Sequence, residues 1–423
     1  MMSSPGSSLW RHADFLKLWA GESVSLLGSQ ITFLALPLTA VTWLEATPFE
    51  MGLLGALEFA PFLLFSLVAG VWADRLPRRP ILMAANIGRA LLLGSIPLMA
   101  LNGWLSMGYL YAMAFGVGVL TVFFDVAYQS YLPALVRRDQ LVEGNSKLEG
   151  SSSVAQIMGP ALAGGLVQAF TAPIAVAADA ASFLVSAFCL GLIRRRENPG
   201  NRAGKWQPMW GEIREGLKVV FQSPILRSIA GCTATNNFFS NMRFAVLTIY
   251  VVRELGIEPG LLGIIFAVGS LGALIGALWG SAIARRWGVG PTLIGAALVG
   301  AIGSLALPAA QGSTTFAVAM LTLGLFINGG ANPVYNITQM SLRQAIIPLR
   351  LQGRMNASMR FLVWGTIPLG SLIGGVLGEG IGIHTTLVIG AIGGLLAVTW
   401  VFFSPVRTLI QPPATELEDE IAS

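Results

Sequence analysis

The stretch Gly70-Val-Trp-Ala-Asp74-Arg75-Leu-Pro-Arg78-Arg79 sets one acid and three arginines directly after a long apolar segment. At an offset of 210 residues the chain reads Gly280-Ser-Ala-Ile-Ala284-Arg285-Arg286-Trp-Gly, again after an apolar segment. A second alignment, at an offset of 211 residues, pairs Gly159 with Gly370. Two separate alignments at nearly one offset predict that the chain is a duplicated unit.

The composition is that of a membrane protein. Of the 423 residues, 54% are hydrophobic and only 11% are charged, whereas soluble domains carry about 25% charged residues. Fifty glycines fit this class, since small residues let membrane helices approach closely. The net charge of +5 does not indicate a nucleic-acid partner, because the basic residues lie in short runs between apolar stretches.

The sequence offers no metal site, disulfide framework or cofactor motif, and we expect none of them. Cys189 and Cys232 lie in apolar stretches, and His12 and His384 lie near opposite ends of the chain. The sequence contains no phosphate-binding loop, so it does not indicate direct use of ATP. The predicted spans contain no nucleophile–base pair, so the sequence does not indicate an enzyme. The polar start of the chain does not read as a cleaved signal peptide.

A helix that crosses the hydrocarbon needs about 20 predominantly apolar residues. The sequence predicts twelve such spans, near residues 19–43, 51–73, 80–101, 104–128, 148–170, 173–193, 225–252, 260–282, 290–310, 315–338, 356–378 and 384–404. Lys and Arg cluster in the loops that follow even-numbered spans, with Arg253 as the exception. This bias predicts a protein of the cell inner membrane with both termini in the cytoplasm.

The predicted fold class is an all-α membrane protein built from two pseudo-symmetric six-helix bundles. Residues 1–193 are assigned to the N-terminal bundle and residues 225–404 to the C-terminal bundle. Residues 194–224 form a cytoplasmic linker, in which apolar residues at helical spacing predict an amphipathic helix at the membrane surface. Residues 405–423 form a cytoplasmic tail. Two parallel six-helix repeats are a transporter architecture.

At these residues the chain resembles the major facilitator superfamily. The loop after span two is similar to that family's signature Gly-x-x-x-Asp-Arg-x-Gly-Arg-Arg, with Pro77 at the second glycine; its matching residues are Gly70, Asp74, Arg75, Arg78 and Arg79. Span five resembles the Gly-Pro-x-x-Gly-Gly signature of the antiporter branch at Gly159, Pro160 and Gly164, with Ala163 at the first glycine of the pair. Residues 124–133 and 179–183 resemble the subgroup that includes the enterobactin exporter and macrolide-efflux proteins.

The resemblance implies roles for these motifs. Asp74 and Arg75 are expected to form a latch that holds a cytoplasmic gate shut, although the loop's arginines can also serve only to set topology. Gly70 is expected to let span two pack closely on a neighbour. The family's usual basic residue in span four would fall at Ala112, so a proton route through an arginine there is in doubt.

Ionisable residues inside spans are functional candidates, because each costs about 2.5–3.5 kcal/mol at a helix centre on insertion scales. Glu22 and Asp125 lie in spans one and four, which line the central cavity in this family. They are the leading proton or cation sites, and the alternative is a satisfied polar contact near the cytoplasmic end. Arg243 in span seven is expected to face the cavity, where it can pair with an acid or attract an anion. Glu58 and Arg89 are expected to pair with each other, and Asp179 to be structural.

A second set of candidates consists of polar and aromatic residues on the predicted lining spans. It comprises Gln30, Phe123, Phe124, Asn236, Asn237, Phe238, Phe239, Asn241, Phe244, Asn328, Asn332, Tyr335 and Asn336. Aromatics, amides and a few charges suit an amphipathic organic molecule better than a sugar or a bare ion. A single Asn is more often a contact between helices than a ligand, so both interpretations stay open.

The leading hypothesis is a proton-coupled exporter of small amphipathic compounds, such as drugs, siderophores or related metabolites, that works by alternating access. An uptake symporter or a lipid transporter of the same fold is the alternative. A non-transporting receptor or scaffold is the hypothesis from another class. The expected partners are the small-molecule substrate, protons and the lipid bilayer, and the family fold predicts a monomer.

The duplicated parallel halves predict the sidedness of two loops. In a variant without Cys189 and Cys232, cysteines at Leu76 and Arg285 should react with a membrane-impermeant maleimide only from the cytoplasmic side. A cysteine at Asn102, in the loop after span three, should react only from the opposite side. Labelling of positions 76 and 285 from opposite sides would contradict the parallel repeat.

Overall fold

The computed structural model describes residues 9–194, 217–347 and 349–411. These residues form helices joined by short loops, and no strand occurs among them. Most of the predicted amphipathic helix of the linker falls at residues 195–216, outside the described part of the chain. Residues 217–222, at the end of the linker, are helical.

A helix lies at each of the predicted span positions. The first half contains α1 (Ala13–Leu38), α2 (Pro48–Arg75), α3 (Arg78–Leu101), α4 (Met107–Leu135), α5 (Leu141–Ala169) and α6 (Ala172–Gly191). The second contains α7 (Pro224–Ile249), α8 (Pro259–Trp287), α9 (Val289–Ser304), α10 (Thr314–Ile346), α11 (Leu349–Trp364), α12 (Thr366–Ile381) and α13 (Ile383–Phe402). The eleventh predicted span is divided at Gly365 into α11 and α12.

Nine helical segments of the described chain are long and apolar enough to cross a membrane. The helices that fall outside this set are α5 and α7, which carry many Ser, Asn and Thr residues, and α9, which is apolar but short. Polar residues are tolerated in a membrane helix where they face other helices or an aqueous cavity. The all-α membrane fold is thus confirmed, and the count of twelve spans is consistent with these helices.

Local sequence explains where several helices begin. Ser106, Ser223 and Ser313 precede α4, α7 and α10, and each side chain accepts a hydrogen bond from the backbone N–H three residues later. A serine at this position satisfies an N–H that has no partner inside the helix. His12 does the same for α1 through its Nδ1 atom.

The two halves repeat the same pattern of helix contacts. In the first half α1 packs on α5 and α6, and α3 packs on α4 and α6. In the second half α7 packs on α12 and α13, and α9 packs on α10 and α13. Each pair in the second half is the counterpart of a pair in the first. The internal repeat predicted from the sequence is therefore present in the packing.

The repeat extends to an irregularity that the sequence did not reveal. α1 continues into a π-helical turn at Thr39–Trp43, and α7 continues into one at Tyr250–Glu254. Ala46 N–H then donates to Ala40 O at 2.9 Å, and Ile257 N–H donates to Val251 O at 3.0 Å. All these positions are related by the 211-residue offset, so the first helix of each half ends in the same way.

The described chain forms two compact units whose limits differ from the predicted halves. The first unit takes in residues 258–267, the start of α8, and the second takes in residues 47–56, the start of α2. At the start of α8 and of α2, glycines contact glycines of another helix in the same unit. In the first unit, a methyl group added at Gly164 of α5 would lie 2.6 Å from Pro259 O and 3.0 Å from Gly263 Cα.

The second unit contains the counterpart of this contact. A methyl group added at Gly375 of α12 would lie 2.8 Å from Gly52 Cα and 2.8 Å from Pro48 O at the start of α2. Gly52 and Gly263 are 211 residues apart, as are Gly164 and Gly375. The same backbone-on-backbone approach therefore occurs twice, and only glycine permits it.

Two adjacent glycines allow this packing to be tested with a matched control. Gly164→Ala should lower the melting temperature of the purified protein, because the new methyl group overpacks the α5–α8 contact; such changes cost about 1–3 kcal/mol. Gly165→Ala should have little effect, since a methyl group there meets open space. Fluorescence-detected thermal unfolding in detergent measures both. Equal losses would contradict the close approach.

Candidate functional site

A buried arginine forms the centre of the polar site in the first unit. Arg89 of α3 is only 4% exposed. Its guanidinium carbon lies 4.2 Å from the ring centre of Phe124 on α4 and 4.1 Å from that of Phe183 on α6. A cation over an aromatic face is attracted by the ring quadrupole, and the effect grows when water is excluded. The two rings thus provide part of the compensation that a buried charge requires.

Three carboxyl groups provide the rest. Glu22 of α1, Asp125 of α4 and Asp179 of α6 all interact electrostatically with Arg89. Glu22 and Asp179 are buried, at 8% and 1% exposure, and Asp125 is half-buried. An opposite charge nearby is what makes an ionised group tolerable inside a protein. Arg89 is therefore one cation shared by acids from three helices.

Hydrogen bonds from neutral side chains hold this cluster in place. A guanidinium N–H of Arg89 donates to Asn86 Oδ1, and Asn86 Nδ2 donates to Ser186 Oγ at 2.9 Å. Ser182 Oγ donates to Asp179 Oδ1 at 3.0 Å. Asn86 and Ser186 are themselves buried, which fixes α3 against α6 beside the charge.

The predicted pairing of Glu58 with Arg89 is wrong. Arg89 lies with Glu22, Asp125 and Asp179, because α3 packs on α4 and α6 and the arginine faces those helices. Glu58 of α2 is half-buried and has no part in the cluster. Asp179, predicted to be structural, contributes to the electrostatics of Arg89. The cluster also supplies an arginine next to α4, whose own expected arginine is absent at Ala112.

A cavity of about 690 Å³ borders the cluster within the first unit. Its wall includes Glu22 and Leu26 of α1, Tyr128 of α4 and Glu149 of α5. The Tyr128 ring stacks on Phe124 with 5.6 Å between ring centres and 13° between planes. Phe124 was predicted to line the cavity; it lies instead between Tyr128 and Arg89, 4% exposed. The cavity wall and the buried arginine are thus joined through two stacked rings.

In the second unit, Arg243 of α7 is directed at α13. It is 5% exposed and donates to Gly390 O at 2.6 Å and to Ser240 Oγ at 2.9 Å. Gly390 and Gly394 leave the space in which it lies. This placement differs from the prediction of a side chain that faces a central cavity. The cause is the two glycines of α13, whose significance for Arg243 the sequence alone did not show.

The polar residues of α7 and α10 divide into two groups. Asn236, Asn332 and Tyr335 surround a cavity of about 30 Å³ together with Cys232 and Asn328, close to the space that one water occupies in the liquid, about 30 Å³. Asn237 and Asn241 instead donate to backbone carbonyls, at Val363 and Asn237 respectively. The first group stays a candidate lining, whereas Asn237 joins α7 to α11 and Asn241 forms its hydrogen bond within α7.

The signature loop after α2 is described in part. The side chains of Asp74 and Arg75 lie outside the described part of the structure, so the latch stays a prediction. Arg79 donates through Nε to Leu190 O at 2.8 Å and through a terminal N–H to Gly191 O, which satisfies the last carbonyls of α6. The expected close packing at Gly70 is not found within the described part of the chain, where a methyl group at this glycine would meet no atom within 4 Å. Arg78 lies half-buried beside Arg79.

The antiporter-type signature acts through backbone proximity. Gln30 of α1 lies directly over Gly159 of α5, where a larger residue would displace it. Gln30 was predicted as a cavity residue, and the structure places it against α5. Pro160 is buried within α5, one turn before Gly164 and its contact with the start of α8. The three motif residues therefore form two contact surfaces of one helix.

Several residues of the site were not predicted. Phe183, Tyr128 and Glu149 have no polar-in-apolar pattern that separates them from ordinary helix residues. Two signals were available: Tyr128 and Phe183 fall within the stretches 124–133 and 179–183 that resemble the efflux subgroup, and Phe124 and Tyr128 are four residues apart on α4, next to Asp125. Among the described residues, no group of three His, Cys, Asp or Glu side chains is arranged to hold a metal ion.

The sequence profile of the Major Facilitator Superfamily matches residues 18–367, with a second match at residues 229–420. The chain belongs to the Major Facilitator Superfamily. It is a multi-pass membrane transporter for small molecules, of a family whose members are transporters and not enzymes. The resemblance stated from the signature residues is confirmed.

The relatives of this chain include efflux pumps. The chain is 26% identical over 397 residues to the multidrug efflux pump Tap of Mycolicibacterium fortuitum, a match that covers 90% of this chain and 93% of the pump. It is 24% identical over 406 residues to macrolide efflux protein A of Streptococcus pyogenes, with 93% and 97% covered. These relatives agree with the drug:proton antiporter branch.

Solved structures show the fold. A bacterial homologue of the human lysosomal transporter Spinster, inward-facing and unoccupied, matches with a TM-score of 0.72 and 16% identity, covering 97% of this chain and 100% of that chain. The nucleoside transporter NupG matches with a TM-score of 0.73 and 11% identity, covering 92% and 98%.

The shared charge of Arg89 predicts non-additive substitutions. Arg89→Gln should destabilise the protein by about 3–5 kcal/mol, because buried acids lose their cation. Asp125→Asn added to it should cost less than the sum of the two single changes, as for interacting residues. Thermal unfolding of the purified variants measures the cycle. As a control, the losses of stability caused by Arg89→Gln and Glu143→Gln should add, since Glu143 pairs with Lys147 and not with Arg89. Additive losses for Arg89→Gln and Asp125→Asn would contradict the interaction.

Proposed function

We propose that this protein exports a small amphipathic compound, with a preference for positively charged ones, in exchange for protons. The observation that carries the proposal is Glu22, which belongs both to the Arg89 cluster and to the wall of the 690 Å³ cavity. A carboxyl group in that position can hold a proton or pair with a cationic ligand, but it does not do both at once. Such competition is the physical basis of exchange.

The charges of the cluster favour this assignment. With one arginine among three acids, the site carries more negative than positive groups, so one acid can take up a proton without leaving Arg89 unpaired. Asp125 is the less buried of the α1–α4 pair of acids and is the proposed second proton site. Glu149 on the cavity wall adds a further carboxyl that attracts a cation.

The remaining lining supports an amphipathic substrate. Leu26 and Tyr128 offer apolar and aromatic surface on the wall of the 690 Å³ cavity, beside the carboxyl groups of Glu22 and Glu149. Pockets for organic molecules combine these features. The relatives named as multidrug and macrolide efflux proteins favour export over uptake, and drugs over sugars.

The arrangement in the membrane completes the proposal. The protein lies in the cytoplasmic membrane as a monomer, with both termini in the cytoplasm and six-helix bundles at residues 1–193 and 225–404. The linker at residues 194–224 and the tail at 405–423 lie on the cytoplasmic side. Asp74 and Arg75 latch the cytoplasmic gate. Alternating access then exposes the cavity to each face in turn.

Inverted membrane vesicles test the direction and the coupling together. In vesicles with an acidic interior, ethidium should accumulate inside when the protein is present, because protons leaving the interior drive the cation inward. Glu22→Gln and Asp125→Asn should each reduce this accumulation by about ten-fold or more, and Glu45→Gln, in the exposed loop after α1, should leave it unchanged. Dissipation of the gradient with an ionophore should abolish it.

The same assay separates the alternatives. Loss of preloaded ethidium from acidic vesicles would support an uptake symporter and overturn export. Accumulation of erythromycin but not of ethidium would keep export and reject the preference for small cations. Full activity of both Glu22→Gln and Asp125→Asn would overturn the assignment of the proton sites.

A further inference from the structure

An apolar cavity opens on the second unit; it shares Ala296 and Ala331 with the wall of the small cavity beside Asn236. It has a volume of about 360 Å³ and is lined by α8, α9 and α10. This volume falls within the range of small-molecule pockets, about 300–1,000 Å³. Its wall is almost entirely apolar, with glycines at 272, 276, 295 and 330 that leave the space between the helices. No titratable side chain lines it.

One face of α8 runs along this cavity. Ile275, Trp279, Ile283 and Trp287 line it at intervals of four residues, the helical repeat. Trp279 and Trp287 are exposed by 63% and 64%. Exposed indole rings at the end of a membrane helix are typical of the boundary between hydrocarbon and water. The cavity thus extends from the apolar depth of the helix to its end.

A cation marks that end on the same face. Arg286 follows Trp279 by seven residues and Ile283 by three, so its side chain leaves α8 on the face that lines the cavity. Arg285 is one residue away, about 100° around the helix, and leaves a different face. Both side chains are exposed, and neither forms an ion pair with another residue of the described chain.

We propose that this cavity binds an anionic phospholipid, with an acyl chain between α8, α9 and α10 and the phosphate on Arg286. The chemistry of the two parts matches a lipid with an acidic headgroup: an apolar slot whose wall reaches Trp287, and the exposed guanidinium of Arg286 next to that residue on the same face of α8. Basic residues at the ends of spaces between membrane helices recognise such headgroups. A free phosphate would not fill the apolar part, and an apolar compound would not use Arg286.

The test uses the purified full-length protein in detergent and native mass spectrometry. Dioleoyl phosphatidylglycerol should bind in preference to dioleoyl phosphatidylcholine. Arg286→Gln should weaken binding of phosphatidylglycerol by about five-fold, the factor expected for one arginine at a membrane surface, and remove the preference. The matched control is Arg285→Gln, which removes the same charge from another face and should leave binding unchanged.

The apolar half of the site is tested separately. Gly295 lines the cavity, and a side chain there would meet open space, so Gly295→Leu should fill the slot without disturbing the fold. It should weaken the binding of both lipids, whereas Gly380→Leu, at another open glycine, should not. Gel-filtration profiles verify that each variant is folded. If Gly295→Leu does not fold, the exposed substitution Arg286→Gln still tests the site.

Three outcomes would overturn the proposal. Equal binding of the two lipids by the unaltered protein would remove the headgroup contact. Equal losses in Arg285→Gln and Arg286→Gln would mean that only net charge matters. A Gly295→Leu variant that binds phosphatidylglycerol normally but transports ethidium differently would assign the slot to an apolar substrate instead.

Discussion

A guanidinium in the apolar interior of a membrane protein requires compensation, and Arg89 obtains it from several helices, although its Nε has no hydrogen-bond partner. The rings of Phe124 and Phe183 contact its faces, Asn86 accepts one of its hydrogen bonds, and acids from three helices balance its charge. Each of these groups comes from α1, α3, α4 or α6. The position of those helices is therefore tied to one charge, and the same charge sets the environment of Glu22 on the cavity wall.

Other helices of the two units, α5 with α8 and α2 with α12, are brought together by a packing rule that does not involve charge. Lipid offers no hydrophobic driving force between helices, so close approach through small residues stabilises the bundle. Gly164 against Gly263 and Gly52 against Gly375 place backbone on backbone at equivalent points of the repeat. Close-packed glycine contacts are short-ranged and leave no polar group to satisfy.

The residues of the candidate site were predictable to different degrees. Glu22 and Asp125 were selected as candidates because an acid in an apolar segment is rare and costly. Arg89 was identified as costly as well, but its partner was assigned wrongly to Glu58, since a sequence does not show which face of α3 meets α6. Arg243 was placed toward a cavity, although Gly390 and Gly394 give it room against α13. Gly70 matched a signature, yet it makes no close contact within the described part of the chain.

The sequence by itself determined the membrane class, the positions of the helices, the duplication and the superfamily, because hydropathy, Lys and Arg placement and repeated motifs are local properties of the chain. It did not determine that the π-helical ends of α1 and α7 repeat, or that Phe124 covers Arg89 and does not line the cavity. Those features depend on which side chains meet across helices distant in sequence. Tertiary packing alone decided them, since the partner of a buried charge is set by the rotation of each helix about its axis.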